Sequence, residues 1–73
     1  MDILLPAFSV RLKQLRKDRH ITQKAMAELL GKTERHYQAI EAGKINVSAT
    51  ILITLSAYFG VSTDYLLGLR EEW

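Results

Sequence analysis

Apolar residues recur along this chain at helical rather than strand intervals. Phe8, Leu12 and Leu15 stand at i, i+4 and i+7, leaving Arg11, Lys13, Gln14 and Lys17 for solvent. Met26, Ala27 and Leu30 share one side of a second segment, Tyr37 and Ile40 of a third, and Leu52, Leu55 and Phe59 of a fourth. No stretch sustains the alternation of a half-buried strand, and the strand-like run 51–55 lies inside a longer helical period. The pattern predicts an all-α fold of five short helices.

The residues at the breaks agree with that division. Pro6 suits the first turn of helix 1, where its missing N–H costs nothing, and the polar run Asp18-Arg19-His20 ends that helix. Thr22, Thr33, Ser48 and Ser62 each precede a periodic segment and read as N-caps. Gly31, Gly43 and Gly60 each follow one and read as terminators. Glu34 and Asp64 fall in first turns, where the helix dipole favours an acid. The last segment, STDYLLG, is a short helix 5 with Leu66 and Leu67 available for packing.

Helices 2 and 3 are separated only by Gly31-Lys32 before the Thr33 cap. Helices so closely joined cannot lie antiparallel and must cross steeply, as a helix-turn-helix. Ala27 is small enough for the crossing, and Tyr37 and Ile40 face back across it. At about 100° per residue, Thr33, Tyr37, Ile40 and Glu41 fall on one side of helix 3. Arg35, Ala39 and Ala42 point the opposite way, flanked by Gln38 and His36. Arg and Gln have the bidentate geometry that matches guanine and adenine edges in the major groove, and an alanine admits close approach or meets a thymine methyl.

Length and charge narrow the reading. The 73 residues make one domain, with a core over residues 6–68 and a tail at 69–73. A composition 48% hydrophobic and 25% charged excludes disorder. The absence of cysteine excludes disulfides and thiolate metal sites and fits a reducing cytoplasm. The net charge of +2 is uneven: residues 1–35 carry eight Lys/Arg against four acids, and residues 36–73 carry two against four. A basic amino-terminal half points to a polyanion partner. The opening MDILLPAF has no basic leader, and Pro6 and Arg11 cut its apolar run short of a signal peptide or membrane span.

His20 and His36 lie on different elements without an i, i+4 partner, so they read as solvated or phosphate-adjacent groups rather than metal ligands. No nucleophile–base–orienter set or phosphate loop is present; neither an enzyme nor a cofactor is expected.

Residues 8–68 resemble the phage repressor/Cro-type (lambda-repressor-like, Xre family) helix-turn-helix DNA-binding domain. The resemblance rests on Phe8, Leu12 and Leu15-Arg16, on T22-Q-x-x-M-A-x-L-L-G31, on Tyr37, Ile40-Glu41-x-Gly43-Lys44, and on Ser48, Leu52, Leu55 and the tail F59-G-V-S-T-D-Y-L-L-G68. It implies a five-helix domain with the helix-turn-helix at helices 2–3. It also implies a cytoplasmic, nucleoid-associated transcriptional regulator of the repressor kind, with residues 33–42 of helix 3 in the major groove of a two-fold operator bound by a homodimer.

Residue by residue, the resemblance puts Gln23 against a phosphate as a buttress of helix 3. It puts Thr33, Glu34, Arg35, Gln38 and Ala39 at base-reading positions, with His36 nearer the DNA backbone. Lys44, Asn46 and Ser48 match a second phosphate-contacting segment, and Arg16 and Glu41 match an ion pair between helices 1 and 3. Four positions depart from the family pattern. Val47 replaces a common proline, and Met26 a leucine. Lys32 replaces an apolar residue, weakening the turn or adding a phosphate contact. Glu34 must accept from cytosine N4 or lie back as a capping charge.

Ile51, Tyr58 and Tyr65 are spaced by seven and form either a stripe for a partner subunit or part of the core. Ile3, Leu4, Leu5 and Trp73 read as chain-end packing or dimer contact. The same fold also serves as an antitoxin or adaptor module, with a toxin or other partner protein over helices 4 and 5. The ending GLREEW resembles the close of an amino-terminal domain, after which a sensor domain would follow.

Overall fold

The computed structural model describes residues 6–73, which form α1 (Pro6–Asp18), α2 (Gln23–Leu30), α3 (Glu34–Glu41), α4 (Ala49–Phe59) and α5 (Thr63–Leu66). No strand occurs among the described residues. Four helices begin on the hydroxyl expected of them. Thr22 Oγ1 accepts from the Ala25 N–H at 3.0 Å and Thr33 Oγ1 from the His36 N–H at 3.0 Å. Ser48 Oγ accepts from Ile51 at 3.2 Å and Ser62 Oγ from Tyr65 at 3.0 Å. Each bond satisfies a donor that the first helical turn leaves unpaired, worth about 1 kcal/mol.

The turn between α2 and α3 closes on Gly31 at φ 67°, with the Lys32 N–H returning to the Ala27 carbonyl at 2.9 Å. Only a residue without a β-carbon adopts that conformation without steric cost. Helix α1 closes in the same way on a histidine: His20 has φ 57°, and the Ile21 N–H reaches the Arg16 carbonyl at 3.1 Å. The polar run expected to end α1 does so through this left-handed turn.

The core gathers Phe8, Leu12 and Leu15 from α1, Met26 and Ala27 from α2, and Tyr37 and Ile40 from α3. Leu55 and Phe59 of α4, Leu66 of α5 and the linking Val61 complete it. Leu30 and Leu52 pack against this cluster while half-buried. Ile3, Leu4 and Leu5 lie outside the described residues.

The structure corrects the assignment of Arg11 to solvent. Its Nη1 donates to the carbonyls of Tyr65 at 2.5 Å and Arg70 at 2.6 Å, and its guanidinium lies 4.2 Å from the centre of the Tyr65 ring. The Tyr65 carbonyl, at the end of α5, also accepts from the Gly68 N–H at 3.0 Å, so the cation on the neighbouring helix adds a second, charge-assisted bond there. The tail is drawn back with it. The Ser62 N–H donates to the Trp73 carbonyl at 2.7 Å, and the Trp73 indole meets Tyr65 edge-on at 6.3 Å between ring centres.

Candidate nucleic-acid interface

The exposed face of α3 is built from the inside out, beginning at Glu41. This is the one buried charged side chain among the described residues, at 5% exposure. Its Oε1 accepts from Arg16 Nε at 2.6 Å and from the Tyr37 hydroxyl at 2.9 Å. Its Oε2 accepts from Gln23 Nε2 at 2.8 Å and Arg16 Nη2 at 3.3 Å. Arg16 also donates through Nη1 to the Ile21 carbonyl at 2.8 Å. The Glu41 carbonyl accepts from Ser9 Oγ. One carboxylate thereby joins α1, α2 and α3.

Burial alone would raise the Glu41 carboxyl, but the bonds from Arg16, Gln23 and Tyr37 outweigh it and hold the group below its ordinary range. Arg16 is held above its usual value, chiefly by its hydrogen bond to Glu41. Burial, reinforced by the neighbouring carboxylate, pushes the Tyr37 hydroxyl well upward, so it stays a neutral donor.

Gln23 reaches in two directions. While Nε2 faces Glu41, Oε1 accepts from Gln38 Nε2 at 3.3 Å. The residue matched to a phosphate contact is thus also a brace between the buried carboxylate and the outer side of α3.

That outer side is open. Thr33, Glu34, Arg35, His36 and Gln38 are exposed and Ala39 is half-buried, whereas Tyr37, Ile40 and Glu41 are buried. Arg35, Gln38, Ala39, Ala42 and Lys44 line a shallow concavity of about 320 Å³. Ala42, turned outward in the sequence reading but given no role there, joins its wall. Thr33 performs the capping, and Glu34 stands exposed at the first position of α3.

Beyond α3, burial alternates. Ile45 and Val47 pack against the core, while Lys44, Asn46 and Ser48 are exposed. Val47 therefore anchors the loop by burial where a proline would stiffen it. Lys32 is exposed in the turn, its backbone N–H spent on Ala27.

The basic half of the chain is less available than its charge count implies. Arg11 and Arg16 are committed as described, and Arg19 Nη2 donates to the Phe59 carbonyl at 2.7 Å at the end of α4. Lys13, Lys17, Lys24, Lys32 and Arg35 remain exposed. Of the four residues considered for subunit contact, Ile51 and Tyr65 pack against the core. Tyr58 and Trp73 are 44% and 76% exposed. Ile53, not singled out by its spacing, is 62% exposed on α4.

A polar helix braced on a second helix across a glycine-closed turn, and followed by an exposed polar ribbon, defines a helix-turn-helix domain. Comparison with known proteins agrees: the family described as Helix-turn-helix matches residues 12–66. The chain belongs to this family, in its phage repressor/Cro (Xre) form, a non-enzymatic family of DNA-binding proteins.

It is 42% identical over 60 residues to the SPbeta prophage-derived uncharacterized HTH-type transcriptional regulator YonR of Bacillus subtilis (strain 168), covering 82% of this chain and 56% of that protein. It is 43% identical over 60 residues to the uncharacterized HTH-type transcriptional regulator YqaE of the same organism, covering 82% and 52%. A third, YobD, is 36% identical over 62 residues, covering 85% and 55%. The chain spans about half the length of these curated relatives. No solved structure matches it significantly. Among the described residues no helix is long and apolar enough to cross a membrane.

Proposed function

We propose that this chain is a sequence-specific, double-stranded DNA-binding transcriptional regulator of the repressor kind. The observation that carries the reading is the division of α3 into two faces. Tyr37, Ile40 and Glu41 fix the helix to the core, and Arg35, Gln38 and Ala39 line the concavity on its outer side. With α3 in the major groove, Arg35 and Gln38 offer planar hydrogen-bonding groups to base edges. Lys44, Asn46 and Ser48 supply phosphate contacts from their ribbon, with Lys32 and His36 nearby. The first turn of α2, at Gln23, adds backbone N–H groups at a positive helix end.

The protein acts by occupying its operator and performs no chemistry; working on the chromosome, it belongs with the nucleoid in the cytoplasm. Two copies bind together. The described domain is 28 Å at its widest, and half-sites of a two-fold operator lie about 34–36 Å apart, beyond the reach of one copy. Tyr58 and Trp73 offer apolar surface to the second copy.

Selection from random duplex DNA, followed by sizing of the complex, tests this directly. Arg35→Ala is expected to cost about 1–3 kcal/mol and to relax one base pair per half-site. Lys44→Ala is expected to weaken all sequences alike and to lower the salt slope by about one. An Arg35→Ala variant that behaves like Lys44→Ala refutes base reading, and one copy per saturated operator refutes the dimer.

A further inference from the structure

Glu34 opens α3 beside the Thr33 cap and is exposed. It does not do the capping. Thr33 Oγ1 already accepts from the His36 N–H at 3.0 Å. A carboxylate that reaches back to the cap's own N–H stands at the third helical position, which His36 occupies here. Gln38, one turn on along the same side of the helix, is the donor placed to meet Glu34, but its Nε2 turns to Gln23 at 3.3 Å. Glu34 forms no ion pair with another described residue. The helix dipole favours an acid at this end, which accounts for Glu34 in the free protein. On DNA the same charge faces phosphates that repel it.

A carboxylate only accepts hydrogen bonds, and the bases differ in what they offer it. Guanine turns two acceptors, N7 and O6, to the major groove, and thymine turns O4; each repels an anion. Adenine offers its N6 amine with the N7 acceptor beside it. Cytosine offers its N4 amine alone. On the exposed side of α3 Glu34 is the side chain that only accepts, and Arg35 next to it only donates. Together they match the two kinds of group on a G·C pair, the cytosine amine and the guanine acceptors.

We propose that Glu34 selects a cytosine by accepting a hydrogen bond from its N4 amine, and that methylation of that amine blocks binding. In a base pair the amine gives one hydrogen to guanine and turns the other to the groove. A methyl group on N4 that preserves the pairing takes the groove-facing place, so the donor is lost and a methyl meets the carboxylate. The domain therefore distinguishes an unmodified operator from an N4-methylated one. This rests on the reading of α3 as the base-reading helix.

The test begins with operators selected from random duplex DNA by the wild-type protein. Glu34→Ala is expected to lower the cytosine preference at one pair per half-site by about fivefold or more, the smaller end of what a base contact discriminates. N4-methylcytosine at that place should weaken the wild-type protein by a similar factor and leave Glu34→Ala unaffected. Both proteins meet the same duplexes, so any effect of the methyl group on the DNA itself cancels.

A Glu34→Ala protein that binds every duplex more tightly by one factor shows a merely repulsive charge and overturns the proposal. So does one that relaxes no position, or relaxes a position where the wild type prefers a base other than cytosine. A wild-type protein indifferent to the methyl group, or a Glu34→Ala protein that still discriminates against it, also overturns it. If the wild-type protein selects no sequence at all, the reading of α3 itself fails, an outcome distinct from these.

Discussion

Replacing Arg16 by methionine tests the buried node most directly, because it keeps the aliphatic length of the side chain and removes both charge and donors. At neutral pH the change strands the Glu41 carboxylate at 5% exposure with two neutral donors, Gln23 and Tyr37, and leaves the Ile21 carbonyl without the Arg16 bond. Breaking a buried pair by removing one partner costs about 3–5 kcal/mol. The Arg16 side chain is itself 12% exposed and Glu41 keeps two donors, so the lower end, about 3 kcal/mol, is the expected value. A chain of this length has only about 4–11 kcal/mol to lose. Urea unfolding followed by circular dichroism measures the loss as a shift in midpoint at unchanged slope.

The pH dependence of the same variant separates charge from packing. In the wild-type protein Glu41 titrates below its ordinary value, so its contribution is present above that value and is lost as pH falls through the folded one. Without Arg16, burial dominates and the carboxyl titrates above its ordinary value; acidification then stabilises the variant as the folded state takes up the proton. The gap between the two proteins should narrow from pH 7 toward pH 4, at up to about 1.4 kcal/mol per pH unit for the one proton. A cost below about 1 kcal/mol at pH 7, or a gap that stays constant with pH, would refute the assignment of Glu41 as a buried anion held by Arg16.

Two glycines and a histidine make further tests by the same unfolding measurement. A β-carbon at Gly68 would lie 2.5 Å from Ala7 Cβ, whereas one at Gly60 would meet nothing within 4 Å, and both residues have positive φ. Gly60→Ala should cost about 1 kcal/mol from backbone strain alone. Gly68→Ala should cost about 1–3 kcal/mol more, because α1 and the end of α5 must separate; equal losses would contradict that packing. His20→Gly should instead stabilise by up to about 1 kcal/mol, relieving a left-handed residue that carries a β-carbon. A destabilised glycine variant would show that the imidazole makes a contribution larger than its strain.

Much of this fold was legible because local and long-range signals coincide. Hydroxyl residues stand where the apolar periodicity breaks, and the same residues cap the helices. The division of α3 could be read from angular spacing, since Tyr37, Ile40 and Glu41 lie together on the wheel and only one of them is charged. Arg11 and Arg19 were not legible. Each satisfies carbonyls at the end of a helix more than 35 residues away in the chain, and nothing in the spacing of a helix reveals which distant carbonyls its outer face will meet. The left-handed turn at His20 was hidden for a different reason: histidine tolerates that conformation without announcing it. The brace from Gln23 to Gln38 depends on two side-chain orientations across a steep helix crossing, which the residue types permit but do not dictate.

That brace bears on how such a domain changes its target over generations. Arg35 and Ala39 make no side-chain hydrogen bond to the rest of the described protein, so each can be exchanged singly with little effect on the fold. Position 38 cannot drift so freely. Its neighbour across the crossing, 15 residues earlier in the chain, is already committed to the carboxylate that joins three helices, so a new residue at 38 meets an acceptor it did not choose. On the proposed reading of α3, reprogramming should therefore begin at 35 and 39, while 23 and 38, joined by a hydrogen bond across the helix crossing, change together.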